Sequence, residues 1–217
     1  EEEEEKSNST TSTTEKQNEI VFAAIFDSRS SGKVASKASS SLNKYLNSNP
    51  LSFTHNYFNQ ICGCVNDVIH DKSVFDGSSI AIAMMQSKEL LYTTVGDMRI
   101  IISNGKKNGF RVVQENIESG RRFGNKTLGQ LSISKIVGDY LVYGVDISAK
   151  LNSIVLHDDD RFVILICALV YEMLSAEQFD EICSEYDNPT DLADALKQAT
   201  IGGMSSDNIS VIVIEVS

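Results

Sequence analysis

The sequence predicts an α+β fold in which two antiparallel β-sheets pack on one another and pairs of helices cover them on the outside. Three observations carry this expectation. Short apolar runs at 20–26 and 161–168 read as strands buried on both faces, and 208–216 reads as a closing strand. Runs rich in aliphatic and β-branched residues at 79–85, 90–95 and 99–103 are joined by short polar turns. Helical-period segments come two at a time, with no regular alternation of strand and helix, which argues against a parallel sheet.

Residues 1–18 (EEEEEKSNSTTSTTEKQN) hold no large apolar side chain, so they cannot bury enough surface to offset their ordering entropy. They are expected to form a disordered tail, with one folded domain over 19–217. The pattern changes at Glu19, after which Ile20 to Phe26 reads as a buried strand ending at Asp27. Val34, Ala38, Leu42, Tyr45 and Leu46 fall at helical spacing after the turn Ser28 to Gly32. A second helix, Thr54 to His70, carries Phe58, Ile61, Cys62, Val65 and Ile69 along one stripe. Strands follow over 79–85, 90–95 and 99–103, with the turn Gln86 to Glu89 and the corner Gly96-Asp97-Met98 between them. The stretch 105–160 is mixed, with strand-like pieces at 110–113 and 153–156. Arg161 to Ala168 (RFVILICA) reads as another buried strand, 175–185 and 190–200 as helices, and 208–216 as a closing strand.

At 217 residues one core is large enough to be stable without disulfides or a structural metal. No apolar run approaches the ~20 residues that span a bilayer, and the charged start Glu1 to Lys6 is unlike a secretory leader. A cytoplasmic protein without membrane association is expected. The net charge of −11 argues against a nucleic-acid partner, because phosphate binders display a basic face. Cys62 and Cys64 form a C-x-C pair, yet neither Cys167, Cys183 nor the scattered His55, His70 and His157 completes a zinc spacing. The thiols read as reduced core residues.

Four collinear segments carry a resemblance. Phe22-Ala-Ala-Ile-Phe-Asp27-Ser-Arg-Ser-Ser-Gly-Lys-Val-Ala35 resembles F-x-V-x-D-G-H-G-G-x-x-A, and Gly77-Ser-Ser-Ile-Ala-Ile-Ala with Leu91-Tyr-Thr-Thr-Val-Gly-Asp97-Met-Arg99 resembles G-S-T-A…L-x-x-A-N-x-G-D-S-R. Leu128 to Asp139 is similar to G-x-L-A-V-S-R-A-x-G-D. Asp160-Arg-Phe-Val-Ile-Leu…Leu174-Ser175 with Ser206-Asp207-Asn208-Ile-Ser-Val-Ile-Val213 is similar to D-x-F-L-I-L-A-S-D-G-L-W-D…S-x-D-N-x-T-V-I-V. These are motifs of the type 2C, or PPM, protein phosphatases, and the resemblance implies an α/β/β/α sandwich with a metal cleft at one end.

The family's reaction, as the resemblance implies it, uses two Mg²⁺ or Mn²⁺ ions sharing a water that attacks a phosphoserine. Hard divalent ions take oxygen ligands, chiefly carboxylates, so counting acids tests the site. Asp27 matches the bridging aspartate, the Ser28 carbonyl a backbone ligand, and Asp207 a second metal aspartate. The aspartate of the family's D-G after the long strand is Ala168 here, a lost ligand. Glu4 and Glu5 fall near the family's R-x-x-x-E-D acid but lie in the polar tail with no arginine before them. Asp97 and Asp139 match family turn acids, the first near an auxiliary metal site in some members, and each also fits a turn-capping role.

Arg29 replaces the histidine of D-G-H-G, a proton donor in the family, and a guanidinium does not deprotonate at usable pH. It admits two readings: a surface arginine, or a cation reaching Asp27 or Asp207 in place of a metal. The expectation is a catalytically inactive domain with Asp27 and Asp207 vestigial, no catalytic residue, and no metal or one weak site at Asp27, Ser28 and Asp207. Its partner would be a protein such as a kinase, a phosphatase or another domain of a longer chain. The alternative is a weakly active Mg²⁺- or Mn²⁺-dependent serine/threonine phosphatase.

Overall fold

A computed structural model describes residues 19–28, 32–67, 77–107, 109–115, 122–123, 126–127, 137–138, 151–202 and 208–216. The first sheet runs in the order β1 (Ile20–Ser28), β2 (Gly77–Gln86), β3 (Glu89–Val95), β9 (Asn152–Val155), all antiparallel, with β8 (Val137–Gly138) on the end of β2. The second runs β11 (Val211–Glu215), β10 (Phe162–Cys167), β4 (Met98–Ser103), β5 (Phe110–Glu115), also antiparallel. A small hairpin, β6 (Arg122–Phe123) with β7 (Lys126–Thr127), stands apart. The helices are α1 (Lys33–Ser48), α2 (His55–Asp67), α3 (Ala168–Met173), α4 (Ala176–Glu185) and α5 (Pro189–Ile201) among the described residues.

Strand alternation builds two cores from one sheet. On β1 and β2, Ala23, Ile25, Ala81, Ala83 and Met85 face the second sheet. Their neighbours Phe22, Ala24, Ile80, Ile82 and Met84 face the other way, where Ala38, Leu42, Phe58 and Ile61 of α1 and α2 cover them. The strand β1 is therefore packed on both faces, as its unbroken apolar run requires, although only Ala23 and Ile25 are fully buried at this edge. β10, at the middle of its sheet, is buried along its whole length. Val170, Phe179, Cys183, Leu192 and Leu196 of α3, α4 and α5 join the same core. The layers are helix, sheet, sheet, helix.

Local chemistry sets the ends of these elements. Ser87 takes a φ of 52° in the tight Ser87-Lys88 turn between β2 and β3. Ser175 caps α4 through a capping box, its hydroxyl accepting from the Gln178 amide at 3.2 Å while Gln178 accepts from the Ser175 amide at 3.0 Å. Asn188 caps α5 by accepting from the Thr190 amide at 2.8 Å, with Pro189 in the first turn.

Most element boundaries shift by one or two residues from the sequence reading, and two regions differ by more than that. The strand predicted over 161–168 stops at Cys167, and Ala168 opens a helix that was not foreseen. Ala, Leu, Tyr and Met support a helix as readily as an apolar run supports a strand, and periodicity does not separate the two over so short a stretch. The closing strand spans 211–215, not 208–216. The second helix is described over His55–Asp67, and its predicted continuation through His70 lies outside the described residues.

Candidate functional site

Several strand ends meet at one corner of the sandwich. β1 closes with Asp27 and Ser28, and Asp27 stands opposite Ser79 at the start of β2. Ser78 Oγ donates a 3.0 Å hydrogen bond to the Asp27 carbonyl. Ser79 Oγ accepts from the Asp97 amide at 3.3 Å, which ties the Gly96-Asp97 corner between β3 and β4 to the same edge. The corner needs its glycine, because Gly96 has a φ of 82°. The Asp97 carbonyl in turn accepts from the Tyr171 hydroxyl of α3 at 3.4 Å, and the Arg99 guanidinium lies 3.5 Å from the centre of the Tyr171 ring. The observed tie from Asp97 thus runs through its main chain, joining β3–β4 to α3.

β10 brings Cys167 and Ala168 to this corner. The Cys167 amide donates to the Ser210 carbonyl at 3.2 Å, and the Ser210 amide donates to Cys167 Sγ at 3.4 Å. Burial pushes the Cys167 thiol above its ordinary range, and the nearby Asp27 carboxylate pushes it the same way, outweighing the hydrogen bonds that lower it. Asp27 and the end of β10 are therefore electrostatic neighbours. Ala168 follows directly, as the first residue of α3. Across the loop, Ser28 Oγ accepts from the Gly32 amide at 2.8 Å, and Gly32 holds a φ of 74° at the start of α1. The Ser28 side chain is spent on this turn.

The corner thus assembles Asp27, Ser28, Asp97 and Ala168, four of the positions singled out from sequence. Arg29, Asp139, Asp207, Glu4 and Glu5 lie outside the described residues. Two groups that sequence reasoning did not select also sit here: Tyr171, and Arg99 in its stacked role. Arg99 closes the second quoted segment, but Tyr171 lies in the short helix that the apolar run concealed.

The described positions at this corner supply the carboxylates of Asp27 and Asp97 and a methyl group at Ala168. Burial raises the neighbouring Cys167 thiol above its ordinary range, which disfavours the thiolate. Among the described residues, no three His, Cys, Asp or Glu gather closely enough to hold a metal ion. A pair of hard divalent ions wants several anionic oxygens apiece, and among the described residues Asp27 and Asp97 are the candidates at this corner.

The comparisons with known proteins agree with this architecture. "Probable protein phosphatase 2C 58" of Oryza sativa subsp. japonica is 24% identical over 169 residues, 64% of this chain and 46% of that protein, so the chain spans about half the length of that curated relative. A bacterial serine phosphatase has the same fold, with a TM-score of 0.73 at 16% identity over 90% of this chain and 86% of its own. The serine/threonine phosphatase Stp1 from Staphylococcus aureus gives 0.72 at 16% identity, covering 90% and 84% of the two chains. The profile of the family described as Protein phosphatase 2C matches residues 2–209, beginning inside the segment whose composition suggests a tail. With two antiparallel sheets between helical layers and a family profile spanning nearly its whole length, the chain belongs to the protein phosphatase 2C family.

Proposed function

We propose that the chain is a pseudophosphatase: a protein phosphatase 2C-like domain without catalytic activity, acting as a protein-interaction or regulatory module. The observation that supports this reading is Ala168. It is the first residue past β10, next in the chain to Cys167, whose thiol feels the Asp27 charge, and by segment resemblance it falls where the family carries the aspartate of its D-G motif. A methyl group there removes an anionic oxygen from the corner at which two divalent ions would have to be balanced. If the missing ligand costs what a lost transition-state contact typically does, about 3 kcal/mol, turnover falls by two orders of magnitude or more. Arg29 in place of the family's histidine removes a proton donor as well.

The partner in this reading is a protein: a kinase, a phosphatase or another domain of a longer chain, met in the cytoplasm. The second reading, a slow Mg²⁺- or Mn²⁺-dependent serine/threonine phosphatase, draws on the retained Asp27. Calorimetric titration with Mn²⁺ and turnover of a phosphoserine peptide separate the two. The expected outcome is no saturable binding in the millimolar range and no turnover. Saturable binding with turnover that Asp207→Asn abolishes would establish the enzyme instead.

A further inference from the structure

We infer that the groove between α4 and α5 is a docking site for a basic amphipathic helix of a partner protein. The inference rests on the reading of the chain as an interaction module and names the surface that such a module would use. The groove has a volume of about 480 Å³ on the outer helical layer, away from the Asp27 corner. Its floor is apolar and half-buried: Ile182 from α4 and Tyr186 just past its end, with Ala195 and Ala199 from α5. Its rim carries the exposed carboxylates Glu185, Asp191 and Asp194.

Shape selects a helix. The lining of α5 runs from Asp191 to Ala199, about 12 Å at ~1.5 Å rise per residue, which matches two turns of a partner. Ala195 and Ala199 stand one turn apart, and side chains this small let a second helix axis come within the 8–10 Å or so of close helix packing. A helix with apolar residues at i, i+3, i+4 and i+7 would lay its stripe on this floor.

Charge selects a cation. Residues 176–201 carry seven carboxylates and one base, Lys197, which does not line the groove. Arg161, a base that reaches this hairpin, is engaged 2.5 Å from Asp187. Lysines or arginines flanking the partner's apolar stripe would meet Glu185, Asp191 and Asp194 while their methylene stems lie on the floor. The same carboxylates repel nucleic-acid phosphates and anionic lipid, which leaves a basic protein segment as the occupant.

The test uses the full chain and a synthetic fluorescein-labelled peptide of about five helical turns, with a leucine/alanine stripe flanked by lysines. A second peptide keeps the stripe and replaces every lysine by glutamate. Fluorescence anisotropy is expected to show saturable binding of the cationic peptide alone, weakening as NaCl rises from about 0.05 to 0.5 M. The double variant Glu185→Lys/Asp194→Lys, with an unchanged melting curve, is expected to bind about tenfold more weakly. Amide shifts in the ¹⁵N-labelled chain should concentrate on residues 182–199. No binding by the cationic peptide, equal binding by its glutamate counterpart, an unaffected variant, or shifts centred elsewhere would each overturn the inference. If the double variant unfolds, the shift map decides. Phosphopeptide turnover tests the pseudophosphatase reading through a separate readout, so the failure of one is distinguishable from the failure of the other.

Discussion

The Arg111 guanidinium of β5 makes two parallel hydrogen bonds of 2.6 Å to the Asp160 carboxylate, which is only 5% exposed at the approach to β10. The same carboxylate accepts from the His157 amide at 2.7 Å. One acid thereby fastens the β9–β10 turn to the outer strand of the second sheet.

Arg111→Met should leave that buried acid without its cation. The expected cost is about 1–3 kcal/mol, toward the lower end because Arg111 is 37% exposed and water can partly replace it. Urea denaturation measures it; a midpoint unchanged from the parent chain would show that the pair contributes nothing.

Acid should erode the same tie. Burial pushes the Asp160 carboxyl up, but the Arg111 hydrogen bonds, the His157 amide and the Arg111 positive charge outweigh it, so the folded group titrates below its ordinary range. A depressed folded value means that the contribution is complete above the unfolded value of about 3.9 and is lost as pH falls through the folded one. Asp160→Asn should therefore be least stable relative to the parent at neutral pH, with the gap closing below about pH 4. Parallel melting curves that keep the same separation into acid would contradict this.

Restoring a carboxylate at the corner should change the response to metal. Ala168→Asp adds a second negative charge to the corner that holds Asp27, so it is expected to melt below the parent chain in chelator and to gain more in Tm on addition of Mn²⁺. Identical Mn²⁺ responses from the two chains would mean that the alanine is not what limits binding.

The thiols should separate by burial. Cys62 and Cys183 are pushed up to about 12 by burial, and Cys167 is also raised. Cys64 alone of the four is half-buried, beside the Ser41 hydroxyl at 3.2 Å. A thiol reagent at mildly alkaline pH should modify a single fast site, absent in Cys64→Ser, with the other three reacting only on unfolding. Mass mapping of the modified peptide checks the assignment.

The legible parts of the chain were those governed by local rules. Ile20 to Phe26 and Phe162 to Cys167 show strands because unbroken apolar runs need cover on both faces, and the stripes on 34–46 and 54–67 show helices because their spacing matches 3.6 residues per turn. Asp27 and Ala168 were placed by segment resemblance, and the fold brings both to one corner. Arg111 and Asp160 were not foreseen as partners because 49 residues separate them and no periodicity links their positions. Tyr171 was hidden for a different reason: α3 begins inside an apolar run that reads equally well as strand.

The interleaved side chains of β1 and β2 serve two separate interiors, and both interiors lie along the middle of the strands. Asp27 and Ala168 stand at strand tips, beyond either one. The residues that fill the two interiors and the residues at the strand tips are therefore different sets, so packing and tip chemistry can vary separately. A lineage built this way can shed a ligand, keep a sound scaffold, and place new contacts on its outer helices without first rebuilding its interior.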